Sequence, residues 1–327
     1  MTSQGRVVFV TEPIHPDAVK RLSDAGHSVR FARGQGGQIS ADEVRDADAV
    51  ITRLWTIGSN VLDYARNLKV IVRHGVGVDN IDVEMATRKG VLVGRVPDAN
   101  TLSVAEYVVT AVGLLAKRLA LYNGAVKRGG YSIRESYFGI DLNGRTLGII
   151  GMGKIGRLVS ERVQAAFSMN ILAYDPYIRS AAGLPAGTEL ASGIGELLER
   201  SDIVTIHVPL TPQTIGLIGA TEMKMMRRGS SLINASRGKI VDEAALAAAI
   251  AEGHLSGAVI DVFEEEPPRV DNPLLRLESV IVTPHIAGVT VDSFRRLSLS
   301  SVECVIATLA GNPPVSMIVN PVISICP

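Results

Sequence analysis

Residues 147–156 read Leu-Gly-Ile-Ile-Gly-Met-Gly-Lys-Ile-Gly, an apolar run that feeds a glycine triplet at Gly151, Gly153 and Gly156. A helical pattern follows. Nineteen residues beyond the last glycine, the run Ile171-Leu172-Ala173-Tyr174 ends in Asp175. A glycine triplet alone is weak, because glycine-rich turns occur in any loop. This one has a strand before it, a helix after it and an acid closing the next strand. Gly151 permits the tight turn, Gly153 lets a pyrophosphate approach the backbone, and Gly156 lets helix and strand pack closely. The helix N-terminus adds N–H donors and partial positive charge for the phosphates. Asp175 can accept from both hydroxyls of an adenosine ribose and would repel a 2′-phosphate. The segment therefore predicts a dinucleotide site that favours NAD over NADP.

The chain of 327 residues is long enough for two domains with separate cores. Its 46% hydrophobic and 20% charged residues are those of an ordinary globular protein. Lys+Arg and Asp+Glu both number 33, so the formal net charge is zero. That balance argues against a nucleic-acid or anionic-membrane partner. No apolar stretch reaches the roughly 18 residues of a membrane span. Met1-Thr2-Ser3-Gln4-Gly5-Arg6 runs directly into Val-Val-Phe-Val, with no charged region before an apolar one, so no secretory signal is expected. Cys304 and Cys326 are the only cysteines and make neither a disulfide framework nor a metal cage. No metal site is expected, and a cytoplasmic, reduced protein is the simplest reading.

The first hundred residues alternate short β-like runs with amphipathic helices. Strands are expected at 7–10, 28–32, 49–52, 69–73 and 91–96, and helices at 16–25, 41–46, 60–67 and 83–89. Such alternation implies a parallel sheet covered on both faces. Pro97-Asp98-Ala99-Asn100 is turn chemistry. One long helix is expected from Leu102 to about Arg128. Apolar residues lie on most of its faces, so it should be buried nearly all round, joining the domains and meeting a partner subunit. After a loop at 129–143, strands are expected near 146–150, 170–174, 203–207, 230–233, 257–261 and 279–282, with helices between. Residues 288–311 read as helix, Asn312-Pro313-Pro314 ends it, and an extended tail follows.

Three strand-like runs end in polar groups. Arg237 follows Ile233-Asn234-Ala235-Ser236, Glu264-Glu265-Glu266 follow Gly257–Phe263, and His285 follows Val280-Ile281-Val282-Thr283-Pro284. Ligands of doubly wound sheets bind at such strand ends. Arginine presents a planar fork that matches a carboxylate or carbonyl oxygen. Histidine titrates near neutrality and can pass a proton to or from a hydroxyl, and a carboxylate beside it stabilises its protonated form. Each group alone has a plain alternative: a surface charge, a solvated acidic run, a turn residue. Together, behind a dinucleotide turn, they suit hydride transfer at a 2-hydroxy or 2-oxo acid.

These segments make the chain recognisable. Arg73-His74-Gly75-Val76-Gly77-Val78-Asp79-Asn80-Ile81-Asp82, Asn100-Thr101-Leu102-Ser103-Val104-Ala105-Glu106, the glycine triplet, His207-Val208-Pro209-Leu210-Thr211-Pro212, Asn234–Gly238, Asp261–Pro267 and Thr283-Pro284-His285 resemble the D-isomer-specific 2-hydroxyacid dehydrogenase family. The resemblance implies an α/β protein of two doubly wound parallel-sheet domains. A Rossmann NAD-binding domain at 100–287 would be inserted into a flavodoxin-like substrate domain made of 1–99 and 288–327. It implies a catalytic arginine at Arg237, a glutamate at Glu266 and an acid/base histidine at His285. It places the pyrophosphate along Lys154 and Ile155, the nicotinamide along Ala235 and Ser236, and its carboxamide at Asp261. His207 and Pro209 would line the cofactor pocket. The backbone N–H groups of Gly75, Val76 and Gly77 would hold the substrate carboxylate, and Arg53 could pair with a further anionic group. Such proteins are typically homodimers joined through their cofactor domains.

The chain departs from the family pattern in places. Arg53-Leu54-Trp55-Thr56 stands where phosphoglycerate dehydrogenases often carry Arg-Ser-X-Thr, which makes the mouth more apolar than a phosphate site needs. Trp55 suits a core role as well. Arg95 stands where a small polar residue is common, and Tyr131 where a tryptophan is common. His74 reads as structural, His15, His27 and His254 as surface or helix-flanking, and the Met223–Met226 cluster as helix packing. No regulatory domain is expected after the return helix. Phosphoglycerate, hydroxypyruvate or glyoxylate, and a larger 2-hydroxy acid all remain open as substrates. A NAD-sensing binding protein of the corepressor type, similar in fold, is the non-enzymatic alternative, and an inactive subunit a third.

Overall fold

The computed structural model describes residues 5–34 and 39–321. The first four residues, Cys326 and the last part of the expected tail lie outside them. The described chain divides into two compact units, one running to Asn100 and resuming at Val289, the other spanning Thr101–Gly288.

The first unit holds β1 (Val7–Val10), β2 (Ser28–Phe31), β3 (Ala49–Thr52), β4 (Val70–Arg73) and β5 (Leu92–Arg95). All its strand pairs are parallel, in the order β2-β1-β3-β4-β5. This is the flavodoxin-like order, in which the sheet reverses its direction of growth beside β1. Alternate side chains serve opposite faces, as the two-residue period requires. Val8, Val10, Ala49, Ile51, Val70 and Val72 pack with Val302, Cys304 and Val305 of the returning helix Val291–Leu309. Phe9, Val50, Ile71 and Val93 face the other way, onto Val61, Leu62 and Ala86.

The second unit holds β6 (Thr146–Ile150), β7 (Asn170–Tyr174), β8 (Thr188–Leu190), β9 (Ile203–Ile206), β10 (Ser231–Asn234), β11 (Gly257–Ile260) and β12 (Val280–Val282). The order β12-β11-β10-β9-β6-β7-β8, again all parallel, is the Rossmann order with one strand more. Its switch point lies between β6 and β9. Ile150, Leu172, Val204, Leu232 and Ala258 pack on one face, and Leu147, Ile149, Ile171, Ile203, Ile233 and Val259 on the other. Burial on both faces explains why these strands read as unbroken apolar runs. No helix among the described residues is long and apolar enough to cross a membrane.

Three elements differ from the sequence reading. The single helix expected over 102–128 is two, Thr101–Ala116 and Leu119–Lys127, broken where Arg118 adopts a left-handed backbone at φ 50°. The carbonyl of Ala116 is taken by the N–H of Ile140, and the Arg118 Nε donates to the carbonyl of Phe138. A segment folding back from 138–140 thus takes the acceptor that would continue the helix and holds the Arg118 side chain. The edge strand β8 has only three residues and no sequence pattern of its own. The helix expected over 60–67 is the single turn Ser59–Leu62.

His74 is buried after β4. Its Nε2 lies 2.8 Å from Ser298 Oγ, and its ring lies 5.5 Å from that of Phe294. Burial, reinforced by the Arg53 and Arg73 charges, pushes this imidazole down to about 3. The unfolded chain therefore binds a proton near pH 6.5 that the folded chain refuses until about pH 3. The stability contributed by the neutral ring is complete above pH 6.5 and falls as pH drops, by about 2 kcal/mol at pH 5. Urea unfolding at pH 7 and pH 5 is expected to show that loss in the parent and a clearly smaller one in His74→Asn. Equal losses in both would refute it.

Candidate active site

The glycine turn follows β6. Gly151 has φ 97°, and a Cβ there would lie 2.9 Å from the His207 backbone at the end of β9. Its N–H donates to the carbonyl of Tyr174, closing the turn against β7. Gly156 lies in the first turn of the helix Lys154–Phe167, where a Cβ would collide with the Gly151 carbonyl. Gly153, the N-cap of that helix, is different: a Cβ added there meets no heavy atom within 4 Å. Two glycines are demanded by the fold, and the third leaves open space at a helix N-terminus, where Lys154 and Ile155 begin the first turn. Asp175 stands half-buried just past β7. One carboxylate oxygen accepts from the N–H of Met152 at 3.0 Å and the other from Tyr177 at 3.0 Å. Each oxygen keeps a further lone pair for a hydroxyl. These groups fit a dinucleotide: donors and space for the phosphates, and an acid for a ribose.

Around this turn, burial pushes the His207 imidazole down to about 4, and its Nε2 pairs with Thr205 Oγ1 at 3.1 Å. His207 is a neutral group near neutral pH. Pro209 is exposed, and its carbonyl accepts from Thr214 Oγ1 at 2.6 Å. Ala235 and Ser236 are half-buried after β10, with the Ser236 hydroxyl donating to the Val208 carbonyl.

Arg237, Glu266 and His285 follow β10, β11 and β12, which are neighbours in the sheet. Parallel pairing therefore brings residues almost fifty positions apart to one edge. His285 Nδ1 meets Glu266 Oε2 at 2.9 Å, while Glu266 Oε1 accepts the Phe263 N–H at 3.1 Å. Partial burial pushes the Glu266 carboxyl up. The hydrogen bond and charge of His285, the Phe263 N–H and the Arg237 charge outweigh it and leave the group below the usual carboxylate range. With Nδ1 engaged, Nε2 is the ring nitrogen left for a substrate.

Arg237 is half-buried and its turn is fixed by Asn234, which donates to the Arg237 carbonyl at 2.9 Å and accepts the Ser236 N–H at 3.1 Å. Gly238 follows because a Cβ there would collide with the Phe263 carbonyl. His285 has φ 55°, an uncommon backbone for a residue with a side chain. Its N–H donates to the Asp261 carbonyl at 2.8 Å. The Asp261 carboxylate accepts from the N–H groups of Ile286 and Ala287 at 2.8 Å each and from Thr283 Oγ1 at 2.5 Å. The Asp261 side chain is fully buried, beneath the His285 turn.

In the first unit, Arg53 follows β3. Its backbone N–H donates to Glu12 at 2.8 Å, and its guanidinium lies over the Phe294 ring at 5.2 Å. Of the backbone donors expected in the loop 75–77, the Gly75 N–H donates to the Arg73 carbonyl at 2.8 Å. Sequence reasoning missed Asn234, Thr283 and the reciprocal pair Glu243 and Glu264, in which each carboxylate accepts the other's backbone N–H. Asn234 and Thr283 stood inside motifs already singled out. The glutamate pair had no sequence signal, because its partners lie on different connections.

Comparison with known proteins gives a consistent result. Residues 109–287 match the family described as D-isomer specific 2-hydroxyacid dehydrogenase, NAD binding domain. The chain is 42% identical over 305 residues to a D-3-phosphoglycerate dehydrogenase of Methanocaldococcus jannaschii, covering 93% of this chain and 57% of that one. It thus spans little more than half the length of the curated relatives it matches. Among solved structures, D-lactate dehydrogenase from Aquifex aeolicus, complexed with NAD and lactic acid, superposes with a TM-score of 0.84 at 30% identity, covering 97% of this chain and all of that one. An NADPH-dependent glyoxylate/hydroxypyruvate reductase from Sinorhizobium meliloti, in complex with NADP and malonate, gives 0.83 at 26%, covering 97% of each.

Proposed function

The chain belongs to the D-isomer-specific 2-hydroxyacid dehydrogenase family, and from that premise we propose that it moves a hydride between NAD and a small D-2-hydroxy or 2-oxo acid. The observation that carries this reading is the 2.9 Å pair of His285 and Glu266 beside Arg237, on the strand ends that follow a dinucleotide turn.

Gly151, Gly153, Lys154, Ile155, Gly156 and Asp175 would hold the dinucleotide, with His207, Pro209, Ala235 and Ser236 along it. When bound, the nicotinamide supplies or takes up the hydride at the carbon bearing the oxygen. Arg237 orients the substrate through its carboxylate or carbonyl oxygen. His285 Nε2 gives a proton to that oxygen in reduction and removes it in oxidation. Glu266 holds the ring by Nδ1 and stabilises the imidazolium. The N–H groups of Val76 and Gly77 would take the substrate carboxylate, and Arg53 a second anionic group.

The relatives named D-3-phosphoglycerate dehydrogenase favour a phosphorylated substrate. Leu54, 68% exposed beside Arg53, favours a less polar one. A panel of 2-oxo acids, run with NADH and with NADPH, decides among them. Turnover of at least one is expected, with NADH preferred by about tenfold or more because Asp175 repels a 2′-phosphate. Preference for NADPH would refute the role given to Asp175. Absence of turnover on every acid, with NADH still bound, would favour the NAD-sensing alternative.

A further inference from the structure

Tyr107 lies on the helix Thr101–Ala116, far in sequence from the strand ends of the same unit. Its hydroxyl meets Thr283 Oγ1 at 2.6 Å, and Thr283 Oγ1 meets Asp261 Oδ1 at 2.5 Å. The threonine hydroxyl has one proton and gives it to the carboxylate. It therefore accepts at its other side, and Tyr107 is the donor. The chain has one direction: phenol to threonine to carboxylate. Burial pushes the phenol up to about 12, so the donor keeps its proton across the neutral range.

The carboxylate at the end of this chain is fully buried, and a buried carboxylate needs every donor it has. Its other donors are the N–H groups of Ile286 and Ala287, just after His285. Thr283 stands two residues before His285. Asp261 thus grips the turn on both sides of a residue held at φ 55°.

We propose that Tyr107 is a positioning residue for His285. Through Thr283 and Asp261 it fixes the left-handed turn that aims the imidazole. Without the phenolic hydroxyl, Thr283 can rotate toward other acceptors, the carboxylate loses part of its neutralisation, and the turn gains freedom. The proposal rests on the acid/base reading of His285. The bland alternative is that the hydroxyl only seats the helix Thr101–Ala116 on the sheet.

The test is Tyr107→Phe in the full chain, read in three ways. Steady-state kinetics on the best 2-oxo acid should show kcat lowered about tenfold, with KM changed by less than about twofold. NADH affinity by fluorescence should stay within about twofold. Deuterium uptake over residues 283–288 should quicken about tenfold while the helix Lys154–Phe167 stays unchanged. Thr283→Val should lose as much kcat as Tyr107→Phe. Thr283→Ser, which restores the hydroxyl, should recover most of that loss. The double variant Tyr107→Phe with Thr283→Val should be no worse than either alone, because both cut one chain. Unchanged kcat in Tyr107→Phe, unchanged exchange at 283–288, or exchange raised uniformly over the unit would each overturn the proposal. If Tyr107→Phe does not fold, the contrast between Thr283→Ser and Thr283→Val decides. If the parent turns over no 2-oxo acid, the dehydrogenase reading fails, while the exchange experiment still judges the hold on the turn.

Discussion

His285→Ala is expected to lower turnover about 10²- to 10⁴-fold while leaving NADH affinity within about twofold. The imidazole is the titratable group whose free nitrogen stands ready at the strand ends, and without it the substrate oxygen must exchange its proton with water. Arg237 and the dinucleotide turn would still bind and orient, so some turnover should remain. Alanine also suits φ 55° less well than histidine, so part of a loss could come from the turn. His285→Asn separates the two causes. Asparagine tolerates the left-handed backbone and cannot act as a base, so it should lose as much as alanine. Steady-state kinetics beside NADH fluorescence titration checks both variants. Turnover within a few-fold of the parent in either one would end the acid/base assignment.

The sign of the pH dependence follows from the same pair. Reduction draws on the imidazolium and oxidation on the neutral ring, so acidification favours the first and a rise in pH the second. Glu266, held below the usual carboxylate range, supports the charged ring. In His285→Asn this opposition should vanish.

Much of this was legible in the chain because the relevant physics is local. A glycine triplet between strand and helix, an acid closing the next strand, and polar residues closing three apolar runs are each spelled within ten residues. The sheet orders were less accessible from spacing alone. What could not be read is tertiary. The break at Arg118 exists because the Ile140 N–H takes the Ala116 carbonyl, a bond spanning more than twenty residues. The inward turn of Asp261 depends on donors from 283–287, more than twenty residues further along the chain. Residue type named these positions, and only the fold shows which way each group points.

Gly153→Val gives the second large effect, and it separates a glycine kept for the ligand from glycines kept for the fold. Gly153 has φ −71°, open to any residue, and a Cβ there meets nothing within 4 Å. The variant should fold with a melting temperature within about four degrees of the parent, since exchanging a glycine N-cap for valine costs about 1 kcal/mol and displaces no neighbour. Its side chain would fill the space that a pyrophosphate needs at the start of the helix Lys154–Phe167. NADH affinity should fall about a hundredfold or more, which is about 2.7 kcal/mol. Gly156→Ala is the opposite case. Its Cβ collides with the Gly151 carbonyl, so the protein itself should lose stability whether or not NADH is added. Calorimetry with and without NADH reads both. The parent gains stability from the ligand, Gly153→Val does not, and Gly156→Ala starts lower. A Gly153→Val protein that still gains the parent's full stabilisation from NADH would show that the phosphates lie elsewhere, and with them the whole placement of the cofactor.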